Sequence, residues 1–189
     1  WTLSLKSGKP KPVSPDDYSI WEYDWLPEGS RAAVIYTDEH RVDAQYFRAQ
    51  LGILDAAAGT LQPLEVPITF LHGPKLSPDG RTIALLGSGD GAPHGGEVWA
   101  VDVNTAEATC LTPNLAGSAM TVDFLGQSST LLVQVGEGFA NALYTVSVDA
   151  PGKLDRVCGA LPPALDAVAV SPDGSRVCAV AQGATEPPE

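Results

Sequence analysis

The sequence predicts an all-β fold built from one four-stranded unit that recurs along the chain. Three observations lead to this prediction. A short turn motif recurs at nearly constant spacing, short apolar runs flank each copy, and the chain has no amphipathic helical stretch of useful length. The 19 glycines and 16 prolines among the 189 residues also indicate many turns and few long helices.

The turn motif is the tetrad Ser-Pro-Asp-Gly, which occupies residues 77–80 and 171–174 and is followed by Arg81 and Arg176. Degenerate copies lie at 26–29 and 125–128. The second positions of the four copies are spaced 51, 48 and 46 residues apart. Proline presets the first turn residue, aspartate can bond its own backbone and glycine accepts positive φ, so each tetrad predicts the turn of a β-hairpin.

Short apolar runs lie on both sides of each tetrad. Those that follow the turn are four or five residues long, which is typical of buried strands rather than helices; they are residues 32–36, 83–86, 131–135 and 177–180. Those that precede it are residues 21–26, 70–76, 120–125 and 168–170. Each repeat therefore begins with two antiparallel strands.

A second motif supplies two more strands in register behind the first. The segment Val-Trp-Ala-Val-Asp at 98–102 matches residues 51–55 and 143–147, and residues 1–4 match 99–102 two periods earlier. A polar turn and a fourth strand follow each copy. One position of this motif holds Trp1, Gly52, Trp99 and Tyr144, and we expect a large aromatic residue there to pack between neighbouring sheets.

A unit of about 48 residues with four short strands is the period of a β-propeller blade. We expect antiparallel blades at 16–66, 67–115 and 116–160, strands three and four of a preceding blade at 1–15, and strands one and two of a following blade at 161–189. The chain then starts and stops within blades, as a piece of a larger ring of seven or eight blades would. The alternative is that the two half-blades pair and close a four-bladed ring.

Charge and cysteine content exclude several classes of function. The net charge of −12 disfavours nucleic acid and anionic membranes, and no apolar run reaches the length of a membrane span. Cys110, Cys158 and Cys178 form no CxxC pair, and the three histidines have no metal-ligand spacing. We therefore expect no metal and no cofactor, and a reducing, cytoplasmic location.

The tetrad, the Trp-Ala-Val-Asp strand and the segment Thr-Cys-Leu-Thr-Pro at 109–113 together resemble PD40-type (WD40-like) propeller repeats. Such repeats occur in TolB and in the N-terminal domains of prolyl oligopeptidase (S9) serine peptidases. The segment 21–25 and the long loop at 38–48 are more similar to S9 blades than to the compact blades of TolB. Within S9 the sequence most resembles the acylaminoacyl-peptidase and dipeptidyl-aminopeptidase branch. This resemblance implies a propeller that packs on an α/β-hydrolase domain of the parent chain and gates the access of peptide substrates.

No Gly-x-Ser-x-Gly elbow occurs in the 189 residues, so the resemblance supplies no catalytic residue here. The chain is then the non-catalytic part of a serine peptidase. The alternative is a TolB-like scaffold that binds protein partners, and the sequence leaves the oligomeric state open. An enzyme with its site in the central channel has no supporting residue cluster.

Two loops hold the candidate contact residues. The loop at 38–48 projects from the ring and brings Arg41, Tyr46 and Arg48 together in an acidic chain, so a partner or a peptide carboxylate could meet them. The glycine-rich loop at 87–96 holds Asp90 and His94, which could contact a ligand at a propeller face. Because a strand and not a helix follows this loop, it does not predict a phosphate site.

Overall fold

The computed structural model describes residues 1–89, 96–157 and 164–183, so Asp90, His94 and Cys158 lie outside the described residues. The regular secondary structure of the described part is almost entirely β-strand. The strands are β1 (Thr2–Leu3), β2 (Pro10–Lys11), β3 (Ser19–Trp25), β4 (Arg31–Thr37), β5 (Gln50–Asp55), β6 (Thr60–Leu64), β7 (Thr69–Leu76), β8 (Thr82–Ser88), β9 (Glu97–Asp102), β10 (Ala108–Cys110), β11 (Ser118–Phe124), β12 (Thr130–Glu137), β13 (Ala140–Ser147), β14 (Ala150–Arg156), β15 (Ala164–Val170) and β16 (Val177–Gln182). One short helix, α1 (Ala44–Phe47), lies between β4 and β5.

The strands form antiparallel meanders in which chain neighbours pair. Three sheets have four strands each, and we call them blade one (β3–β6), blade two (β7–β10) and blade three (β11–β14). The N-terminal pair β1–β2 and the C-terminal pair β15–β16 form two separate two-stranded sheets. The tetrads make the predicted hairpin turns, in which the Gly80 N–H donates to the Ser77 carbonyl and the Gly174 N–H to the Ser171 carbonyl, both at 2.8 Å.

Consecutive sheets pack face to face, and each second strand is shared between two cores. On β4, Ala33 and Ile35 face the core between blades one and two, whereas Val34 and Tyr36 face the opposite side. The strands β8 and β12 alternate in the same way. Burial on both faces explains the uninterrupted apolar runs in the sequence. Four-stranded antiparallel sheets stacked in this manner confirm the predicted β-propeller class.

One strand differs from the expectation of burial. Val177 and Val180 on β16 are each 38% exposed, whereas Ile83 on β8 and Leu131 on β12, which also follow their turns, are fully buried. The prediction of a buried strand at 177–180 is therefore wrong in this structure. The reason is that β4, β8 and β12 each have a core on both faces, whereas among the described residues of β16 Ala181 alone packs against a buried cluster.

The aromatic position on the third strands behaves as the repeat predicts in two blades. Trp99 packs against the core between blades one and two, and Tyr144 packs against the core between blades two and three. In blade one this position is Gly52, and Tyr36 of the neighbouring strand fills the space. A Cβ atom on Gly52 would lie 3.0 Å from Tyr36 Cε1 and 2.9 Å from the Gln62 carbonyl oxygen. The large aromatic side chain is therefore on the second strand in blade one and on the third strand in blades two and three.

The meander topology gives the propeller two different faces. The turn face carries the tetrad turns (27–30, 78–81, 126–129 and 172–175) and the turns between third and fourth strands. The opposite loop face carries the connections between second and third strands, of which 38–49 and 138–139 are described, and the links between blades at 65–68 and 111–117. On the turn face neighbouring turns pack closely together. The backbones of Gly126 and Asp173 are so near each other that a Cβ atom on Gly126 would lie 2.8 Å from the Asp173 carbonyl.

Candidate functional site

The connections of the loop face expose large aromatic side chains, whereas on the turn face the β1–β2 turn exposes an aliphatic residue, Leu5. The described connections of the loop face expose four large apolar residues, namely Val42, Tyr46, Phe47 and Phe139. Phe139 is fully exposed at the tip of the β12–β13 hairpin, and Phe47 is 78% exposed at the end of α1. Exposed aromatic residues on projecting loops are typical of surfaces that bind partners.

The loop at 38–48 is held in place by its own polar contacts. Arg48 pairs with Glu39 and, at 3.5 Å, with Asp38. Thr37 Oγ1 donates to the Glu39 carbonyl at 2.7 Å and accepts a hydrogen bond from the indole N–H of Trp21 at 2.9 Å. The charge of Arg48 is therefore compensated within the loop by two carboxylates.

The same loop contacts blade two through aromatic rings packed edge to face. Phe47 of α1 contacts Phe70 of β7 edge to face, with ring centroids 6.2 Å apart, and Tyr46 contacts Phe47 at 6.5 Å. Phe70 has φ = 53°, in the left-handed region that costs a residue with a Cβ atom about 1–2 kcal/mol. Backbone strain of this kind is concentrated at functional sites.

The strand β7 is irregular, and blade one supplies its missing hydrogen-bond partners. Two register shifts interrupt its pairing with β8, one on each side of His72. The Gly73 N–H donates to Glu22 Oε2 at 2.5 Å, and the Leu76 N–H donates to Asp24 Oδ2 at 2.8 Å. These two carboxylates of β3 satisfy backbone donors that would otherwise lack a partner, and they join the two blades.

A cleft of about 440 Å³ opens between blades one and two where these elements meet. Its walls combine aromatic rings with two titratable side chains. The lining includes Trp21, Glu22, Tyr46, Phe70 and His72. Burial lowers the pKa of His72, and the Glu22 carboxylate opposes this shift only in part. The imidazole is therefore neutral at pH 7 and leaves the negative charge of Glu22 uncompensated.

The structure separates the candidate contact residues that were singled out from the sequence. Tyr46 lines the cleft, Arg48 is engaged in ion pairs, and Arg41 is exposed with its carbonyl accepting the Ala44 N–H at 3.0 Å. Asp90 and His94 are outside the described residues.

Four residues that line the cleft were not predicted as site residues from the sequence, namely Trp21, Glu22, Phe70 and His72. A usable signal was available, because Trp21 and His72 occupy the same repeat position and Gly73-Pro74 interrupts the strand that contains His72.

Cys110 is a half-buried free cysteine of β10. Burial raises the pKa of the Cys110 thiol, which makes it a poor nucleophile. Within residues 1–89, 96–157 and 164–183, no three His, Cys, Asp or Glu side chains are grouped as a metal site would need. The same ranges contain no helix that is long and apolar enough to span a membrane.

Solved structures similar to this chain are propellers with different roles. TolB from Acinetobacter baumannii matches with a TM-score of 0.73 and 18% identity over 98% of this chain and 43% of its own length. Dipeptidyl peptidase 4 from Porphyromonas gingivalis matches with a TM-score of 0.68 and 11% identity over 98% of this chain and 26% of its own length. Oligogalacturonate lyase from Vibrio parahaemolyticus matches with a TM-score of 0.69 and 12% identity over 93% of this chain and 51% of its own length.

No protein-family model and no curated protein matches the sequence. At these identities the structural likeness establishes the propeller fold and leaves the role to be argued from the site. The chain spans less than half the length of the Acinetobacter TolB that it matches.

Proposed function

We propose that this chain is a non-catalytic β-propeller segment that binds polypeptide at its loop face. The observation that carries the proposal is the exposure of Tyr46, Phe47 and Phe139 on that face. Aromatic side chains of this kind are the residues that most often anchor protein interfaces. On the turn face, in contrast, the two Ser-Pro-Asp-Gly turns present polar side chains that bond to the local backbone, and the exposed Leu5 of the β1–β2 turn is aliphatic.

The finer proposal is that the parent protein is an S9-type serine peptidase of the acylaminoacyl-peptidase or dipeptidyl-aminopeptidase kind. Its α/β-hydrolase domain would pack on this propeller, and peptide substrates would pass the loop face. Two observations support it: the similarity to dipeptidyl peptidase 4 and puromycin hydrolase structures, and the insertion at 38–48 that bridges blades one and two.

Labelling of the complete parent protein with a fluorophosphonate probe tests this finer proposal. We expect one serine outside the present sequence to be labelled. The double variant Phe47→Ser/Phe139→Ser should then change kcat/KM for long peptides by about tenfold, because it removes two exposed aromatic rings from the loop face. A tenfold change corresponds to about 1.4 kcal/mol. Hydrolysis of a dipeptide ester should stay the same. Equal kinetics of variant and native protein on both substrates would contradict the gating role.

A second candidate is a TolB-like scaffold for protein partners. The similarity to TolB over 98% of the chain favours it. In this case the fluorophosphonate probe labels no serine of the parent protein, and the same double variant weakens binding of a separate protein instead of altering hydrolysis. The probe therefore separates the two candidates before a partner or a substrate is known.

A further inference from the structure

The cleft between blades one and two has the properties of a ligand pocket in its own right. Its volume of about 440 Å³ is within the range of about 300–1,000 Å³ found for small-ligand sites. Three aromatic rings line it from three different elements, Trp21 from β3, Tyr46 from α1 and Phe70 from β7. The Trp21 indole is oriented by its hydrogen bond to Thr37 at 2.9 Å, so this wall is preorganised.

The charge of the cleft selects against anions. Glu22 binds the Gly73 N–H through Oε2, and no hydrogen bond from the described residues reaches its second oxygen, Oε1. The lining contains no lysine or arginine among the described residues, and Arg48 of the adjoining loop is already paired. Because His72 is neutral at pH 7, Glu22 sets a negative potential in a mostly apolar cleft.

We propose that this cleft binds the lysine or arginine side chain of a peptide that lies on the loop face. The aromatic walls would cover the methylene stem, and the cation would interact with the ring faces and with Glu22 Oε1. The net charge of −12 also favours a basic peptide over an acidic one. The peptidic source of the cation rests on the proposed function, whereas the cationic chemistry rests on the cleft itself.

A pair of probe peptides tests the inference on the complete parent protein. The probes are acetyl-Gly-Lys-Gly-amide and the same peptide with norleucine, which keeps the stem and lacks the charge. The readout is the indole N–H resonance of Trp21, identified by its loss in Trp21→Phe. We expect the lysine peptide to shift it with saturation at millimolar concentration, and the norleucine peptide to bind at least tenfold more weakly. Equal binding of the two peptides, or no shift with either, would overturn the proposal.

Two variants of β3 separate the charge of Glu22 from its structural bond. Glu22→Gln keeps an acceptor for the Gly73 N–H and removes the charge, so affinity for the lysine peptide should fall about tenfold. Asp24→Asn is the matched control, because Asp24 makes the same kind of bond to Leu76 but does not line the cleft, and affinity should not change. Equal affinity of Glu22→Gln and native protein would contradict the inference.

The variant Phe139→Ser distinguishes failure of the inference from failure of the proposed function. It removes an exposed ring of blade three that does not line the cleft, and it leaves Glu22, Trp21 and the Phe47–Phe70 contact in place. If long basic peptides bind this variant as they bind the native protein, the loop-face proposal fails. If the lysine peptide still shifts Trp21 in that variant, the cleft assignment holds independently.

Discussion

The turn face of the propeller has a structure that recurs from blade to blade, whereas the connections of the loop face differ in length and conformation. On the turn face the same structure recurs, with the Ser77 hydroxyl 2.6 Å from Asp79 Oδ1 and the Ser171 hydroxyl 2.6 Å from Asp173 Oδ1. On the loop face one connection is an eleven-residue loop with a helix, at 38–48, and another is the two-residue tip at 138–139. The repeated turns bring adjacent blades into contact, and the variable connections carry exposed aromatic residues and contribute Tyr46 to a cleft that is lined mostly by β3 and β7.

The largest effect is expected from one matched pair of glycine substitutions. Gly126 on the turn face and Gly138 on the loop face have nearly equal φ values of 58° and 61°. A Cβ atom would meet the Asp173 backbone at 2.8 Å in Gly126→Ala but would meet nothing within 4 Å in Gly138→Ala. We expect losses in the free energy of unfolding of about 3 and about 1 kcal/mol, respectively.

Chemical denaturation of the two alanine variants measures this difference. Equal losses would show that turns on neighbouring blades do not support each other, and the structural role assigned to the turn face would be wrong.

A smaller effect is expected from the strained residue on the loop face. Phe70→Ala and Phe70→Gly both lose the ring contact with Phe47, but only glycine relieves the left-handed backbone. The glycine variant should therefore be more stable than the alanine variant by about 1 kcal/mol. Thermal and denaturant unfolding of both variants check this. An alanine variant at least as stable as the glycine variant would show that Phe70 is not strained.

The electrostatic state of the cleft can be followed through His72. Its pKa is lowered by burial and raised in part by Glu22, so Glu22→Gln should lower it further. A histidine with a lowered pKa destabilises the fold as pH falls below the ordinary value of about 6.5, because protonation then favours the unfolded chain. NMR titration of the His72 ring checks both points. A pKa that rises in Glu22→Gln would contradict the assigned neighbourhood.

The smallest expected effect concerns the last turn. The Ser171 hydroxyl, then the backbone and hydroxyl of Ser175, lower the pKa of Asp173 to about 2. A lowered carboxyl pKa stabilises the fold above the ordinary value of about 3.9 and loses this contribution as pH falls towards 2. Ser171→Ala should raise the Asp173 pKa in a carboxyl titration, and an unchanged value would contradict the hydrogen bond.

The fold could be predicted from the sequence because the features that build the blades repeat. The tetrads predicted the hairpin turns, and the apolar runs after them predicted the strands β4, β8 and β12. The exposure of β16 was not predicted, because a run such as 177–180 has the same pattern whether or not a further sheet packs on its faces.

The cleft could not be predicted in the same way because it depends on exceptions to the repeat. Glu22 is one of several acidic residues in the sequence, and the Gly73 N–H that bonds to it lies at a second register shift of β7, whereas β3, β11 and β15 each have one shift. Tyr46 was singled out as a loop residue, but its place beside Trp21 and Phe70 depends on how α1 packs against the next blade.

Site-specific photo-cross-linking tests the proposed division between the faces most directly. Benzoylphenylalanine would replace Phe47 or Phe139 on the loop face, or Arg81 on the turn face, in the complete parent protein in cells. All three side chains are well exposed. We expect polypeptide cross-links from positions 47 and 139, either to a hydrolase domain of the same chain or to a separate protein, and none from position 81. Cross-links from position 81 alone would contradict the proposed function.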